Sequence, residues 1–190
     1  LAQAHSPVLV LPAGLRSTTY AAAVSAAPGL AESLRELGYR VEGGAGLTIA
    51  DKVNADLLGW VEEGGDLLLL SEERNPFFWQ HGRGGAFSGD WMGSFDWLRP
   101  GVLRRLKGVD NPITLPFTGI TPASVLVGLP VEDEAYHRDF LAGQVTGWLG
   151  HAVLHTVQFR YGRGRVVLTT YRLKDALRTH PLAAVMLHDL

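Results

Sequence analysis

The chain has 190 residues, 46% hydrophobic and 19% charged, which suffices for one full core, and its formal net charge of -2 leaves no basic stripe for nucleic acid. It contains no cysteine, which excludes disulfides, thiolate metal sites and cysteine nucleophiles. No apolar run approaches the roughly 20 residues of a membrane-spanning helix, so a water-soluble domain with neither nucleic-acid nor membrane partner is predicted and its compartment stays open. The first residue is Leu1 and a strand follows within a few residues, the expectation for a segment of a longer protein.

Pro7 to Leu11 is a short apolar run ending at Pro12 and Gly14, the pattern of a buried parallel strand. After Pro28, Leu30, Leu34 and Leu37 recur at helical spacing, and Gly38 stops the helix before a second predicted strand, Tyr39 to Glu42. Val53, Leu57, Trp60 and Val61 form the next apolar stripe, Gly64 and Gly65 end it, and Asp66 to Leu70 is a third strand too uniformly apolar for a wet face. Strands joined by helices predict a doubly wound parallel sheet of about six strands. From Asn75 to about Pro122 the periodicity fails, and glycine, proline and aromatic residues predict an irregular insertion with its own packing. Strands are expected again over Ser124 to Leu129, Gln144 to Trp148 and Val153 to Tyr161, the later ones as an antiparallel extension. Gly162 and Gly164 bracket a tight reversal into a covered strand, Val166 to Thr170, and Pro181 opens a final helix. The whole reads as a single α/β domain over residues 1–190.

Four segments, in this order, resemble the C-terminal region of bacterial family 2 glycoside hydrolases, the β-galactosidase, β-mannosidase and β-glucuronidase type. They are Trp60 to Leu70, Gly89 to Pro100, Gly143 to Trp148 and Tyr161 to Leu173. The resemblance implies a three-layer, flavodoxin-like fold of the class I glutamine amidotransferase kind, with a mostly parallel sheet. It also implies a non-catalytic accessory role, packing against the catalytic domains of a parent glycosidase or supporting a homo-oligomer. The parent's catalytic carboxylates belong to a barrel outside this segment, so the resemblance carries no catalytic residue and no cofactor onto this chain.

Candidate chemistry is sparse. Ser71 follows the third strand, where an amidotransferase carries its cysteine on a strained elbow; its bulky, charged neighbours favour a plain strand end with Glu72 and Glu73 in solvent over a divergent hydrolase. His151 and His155 are four apart, metal-ligand spacing on a helix but ordinary spacing on the strand expected there. Asp90 and Asp96 flank Trp91, Phe95 and Trp97, the mixture of acids and rings that sugar enzymes use, although a solvated or structural role, capping turns or bonding backbone donors, suits the carboxylates better. The aromatic run Phe77, Phe78, Trp79, Phe87, Trp91, Phe95 and Trp97 admits three readings: a satellite core, a docking surface, or a carbohydrate-binding platform using Trp79, Trp91 and Trp97.

Overall fold

A computed structural model of the chain describes residues 13–16, 22–87, 94–105, 117–147 and 150–190. The expected strand at Pro7 to Leu11 lies outside these residues, as do Asp90, Trp91 and Trp148. Chain order runs β1 (Val24–Ala26), α1 (Ala31–Glu36), β2 (Leu47–Ala50), α2 (Ala55–Glu62), β3 (Asp66–Leu70), β4 (Trp79–Gly82) and β5 (Phe95–Leu98). It continues through β6 (Ser124–Val127), β7 (Phe140–Thr146), β8 (His151–Tyr161), β9 (Gly164–Thr169) and α3 (Pro181–Asp189).

Local chemistry explains these elements. Leu30, Leu34 and Leu37 bury one stripe of α1, and Gly38, at φ +94°, adopts the left-handed geometry that ends it. Asn54 caps α2 by accepting a 2.9 Å hydrogen bond from the Leu57 amide, satisfying one of the free donors at the helix start. Leu67 to Leu70 are all buried because β3 is covered on both faces.

Among the described residues the strands form one mixed α/β sheet of nine. β1, β2, β3 and β9 are parallel neighbours; β8 runs antiparallel to β9 and extends past it to pair with β7 and β6, which carry β5 and β4 at the far margins. β4 and β5, both within 75–122, therefore join the sheet. The predicted strand at Tyr39 to Glu42 is corrected to a single bridge, Val41 to Val24, on one edge of β1; the longer pairing, on the other edge, is made by β2, unforeseen from the sequence. The strand expected over Gln144 to Trp148 begins earlier, at Phe140, and the one from Ser124 ends at Val127.

Two cores sandwich the sheet. α1 and α3 cover one face together with Ile49, Leu68, Leu70 and Val167; α2 covers the other with Leu67, Leu69, Val166 and Leu168. These alternating sets from β2, β3 and β9 are the two-residue period of strands covered on both sides. The β8–β9 turn locks onto the end of α2. Gly162 sits at φ +60°, Arg163 donates a 2.9 Å backbone hydrogen bond to the Glu62 carbonyl, and a Cβ on Gly164 would overlap the carbonyl oxygens of Val61 and Gly65.

Candidate functional site

The carboxyl ends of β2, β3 and β9 open onto a crevice of about 620 Å³ lined by Asp51, Glu72, Asn75 and Lys174 among others, the place where parallel α/β sheets hold ligands. Lys174, after β9, bridges to Asp51, after β2, with Nζ to Oδ2 at 2.5 Å. That hydrogen bond holds the Asp51 carboxyl below its ordinary range and lifts the Lys174 ammonium above its own. Glu72 is half-buried rather than solvent-facing; desolvation, reinforced by Asp175, raises its carboxyl, and its Oε1 has no hydrogen-bond partner among the described residues.

Ser71 stands at the rear of this region, 1% exposed. Its hydroxyl donates to the Arg74 carbonyl at 2.7 Å and lies 3.2 Å from Gln80 Oε1. Gln80 from β4 organises the network: its amide donates to the Ser71 carbonyl at 2.8 Å and to Ser124 Oγ at 2.5 Å, while its oxygen accepts from Asn75 Nδ2 at 2.6 Å. Among the described residues no non-glycine residue has positive φ, so Ser71 is not on a strained elbow.

A second polar group lies within the α1/α3 side of the sheet. β7 and β8 pair Gly143 with Leu154 and Ala142 with Thr156, leaving His155 as an extra residue. Leu154 belongs to the α2-side core, whereas Thr156 meets Thr169, which follows α2-side Leu168 and so shares the opposite face with Val167; the bulge turns His155 away from α2. There His155 Nε2 is 3.3 Å from Asp96 Oδ1, and Arg83 Nη2 is 2.7 Å from Asp96 Oδ2. A carboxylate only accepts, so Nε2 carries the proton. Burial pushes the imidazole below its usual value despite the raising effect of Asp96, and burial lifts the phenol of Tyr171, whose ring is 5.9 Å from that of His155. His155 Nδ1, Arg83 Nε and the Tyr171 hydroxyl are buried without a hydrogen-bond partner among the described residues.

Asp96 is thus a buried ion-pair member, neither a turn cap nor a solvent-open acid, and its suggested partner Asp90 lies outside the described residues. His151 and His155 do not converge on one site: His155 is buried on Asp96, while exposed His151 lies tilted against Phe87. The described residues hold no group of three or more potential metal ligands. The aromatic run divides. Phe77 and Phe78 pack edge-on against Phe159, each with centroids 5.0 Å apart, as part of the α2-side core. Trp97 covers Gly143, where a Cβ would sit 2.6 Å from its Cζ2. Trp79 stands 80% exposed.

Sequence reading did not anticipate Asp51, Lys174, Arg83 or the pairing of His155 with Asp96. Asp51 follows the apolar Leu47 to Ala50 directly, a strand-end position that β2 would have disclosed; the other contacts depend on registers between distant strands. Among the described residues no helix is long and apolar enough to cross a membrane. In comparison with known proteins, no family model and no curated sequence matches the chain.

Proposed function

We propose that this chain is a non-catalytic accessory domain of flavodoxin-like, glutamine-amidotransferase-like architecture, of the sort that follows the catalytic barrel in family 2 glycoside hydrolases. Its work is to pack against the catalytic region of a parent enzyme or to support oligomerisation. The observation that carries the reading is Ser71: it occupies the strand end where the related enzyme fold keeps its nucleophile, with relaxed backbone and a hydroxyl engaged by Arg74 and Gln80. A serine nucleophile needs a base within hydrogen-bond reach and backbone donors facing the reacting carbonyl. Ser71 instead donates to a main-chain oxygen. The strand order adds support. Val41 bridges β1 on the edge opposite β2, giving the sequence Val41, β1, β2, β3, β9, which corresponds to the 2-1-3-4-5 order of flavodoxin-like sheets with a vestigial second strand.

Turnover of aryl β-glycosides and of glutamine by the chain tests the reading. No hydrolysis above the buffer rate is expected for either substrate class, with Ser71→Ala identical to the parent. Hydrolysis that disappears in Ser71→Ala would instead make the chain a divergent hydrolase.

A further inference from the structure

The face of β4, β6 and β8 turned away from α2 carries a row of rings. Antiparallel pairing sets Trp79 opposite Val127 and His81 opposite Val125. Opposed residues share a face, and these flank Leu126, which points into the α2-side core. Phe87, from the 3-10 turn Gly85–Phe87, lies between two imidazoles, its centroid 5.9 Å from His81 and 5.8 Å from His151, with interplanar angles of 25° and 34°. The rings therefore bridge from the sheet margin to β8. Alongside them, Phe87, Val127 and His151 wall an open groove of about 720 Å³ whose rim carries the exposed carboxylates of Glu132 and Asp133.

We propose that this face binds a neutral oligosaccharide. A pyranose offers flat C–H faces that lie on aromatic planes and an edge of hydroxyls that need both acceptors and donors. Trp79, 80% exposed, supplies the open plane; Phe87 holds the two imidazoles, which supply donors and acceptors, and the two carboxylates accept from neighbouring hydroxyls. The same carboxylates repel anionic ligands, which selects uncharged sugars. The groove is of the size that holds small ligands, roughly 300 to 1,000 Å³. A protein partner fits the surface less well. Among the described residues the other exposed large rings lie with the opposite core: Phe95 is two residues from Trp97 on one strand, and Tyr136 stacks on Phe140. Trp97, on the α2 side, has no part in the site. The inference stands apart from the accessory role, because a domain without turnover either binds sugar or does not.

Titration of the chain with cellotetraose, mannotetraose and β-galactotetraose, followed by tryptophan fluorescence, tests it. A saturable change is expected with at least one of the three. Trp79→Ala and His151→Ala, both exposed positions, should each weaken that binding by about tenfold, equivalent to about 1.4 kcal/mol, while Trp97→Phe should leave it unchanged. Absence of saturation with all three sugars overturns the proposal, as does affinity retained in both exposed variants. Self-association in sedimentation that Trp79→Ala abolishes, without sugar binding, would assign the face to a second copy of the chain and overturn it equally.

Discussion

Gly164 shows how little latitude single positions have in this fold. Any side chain there drives into two backbone carbonyls, those of Val61 and Gly65, which cannot rotate aside as a flexible side chain could. Gly164→Ala is therefore expected to lower stability by about 3 kcal/mol in urea unfolding, at the upper end for overpacking; a loss under about 0.5 kcal/mol would show that the α2 terminus yields. His155 predicts a pH dependence. Its folded pKa lies below the unfolded value of about 6.5, so between those two values the unfolded chain binds the extra proton. Stability is complete above about pH 6.5 and declines as pH falls toward the folded pKa, with a slope of at most about 1.4 kcal/mol per pH unit. His188, also lowered by burial, acts in the same sense, and Glu72, raised by desolvation, in the opposite one. The His155 share is read by difference: a His155→Gln variant should lose less stability than the parent between about pH 6.5 and 5, and parallel curves would refute the assignment.

At the scale of elements, the two tryptophans of the irregular region make a controlled contrast. Trp97 on β5 covers the bare backbone of Gly143 directly across the pair, a cross-strand contact that fixes β5 on β7. Trp79 on marginal β4 covers nothing comparable. Calorimetry should find Trp97→Ala destabilised by about 3 kcal/mol and Trp79→Ala within about 0.5 kcal/mol of the parent; equal losses would mean that Trp79 is structural. The difference in legibility follows the same physics. β3, β9, α2 and α3 are readable in the chain because continuous burial leaves an apolar run or a helical stripe bounded by glycine or proline. β2 escapes notice, being four residues long with a threonine in the middle and a glycine-rich approach. β4 and β5 are polar or aromatic and owe their strand form to partners more than 40 residues away. The His155 bulge is invisible without register, and so is the ion pair that depends on it.

Across the molecule, β8 is the member that joins the two halves of the sheet. Its later residues pair with β9 and hence with the parallel strands, and its earlier residues pair with β7 and touch β6. With one strand continuous through both halves, the chain should unfold in a single cooperative transition, with far-ultraviolet circular dichroism and tryptophan fluorescence coincident in denaturant. Two separated transitions would mark the region of β4 to β7 as an independent unit. The accessory reading is compatible with this, since a domain that shapes or braces a neighbour gains from rigidity.

The position of β9 between β3 and β8 has a consequence for biosynthesis. β3 is complete at residue 70, yet its neighbour on that side extends to Thr169, so about a hundred further residues must leave the ribosome before the open hydrophobic edge of β3 is sealed. Through that interval the nascent chain exposes a strand of four consecutive leucines with an unpaired backbone, a template for misassociation. Co-expression of a chaperone that shields unpaired strands is therefore expected to raise the folded fraction of the newly made chain.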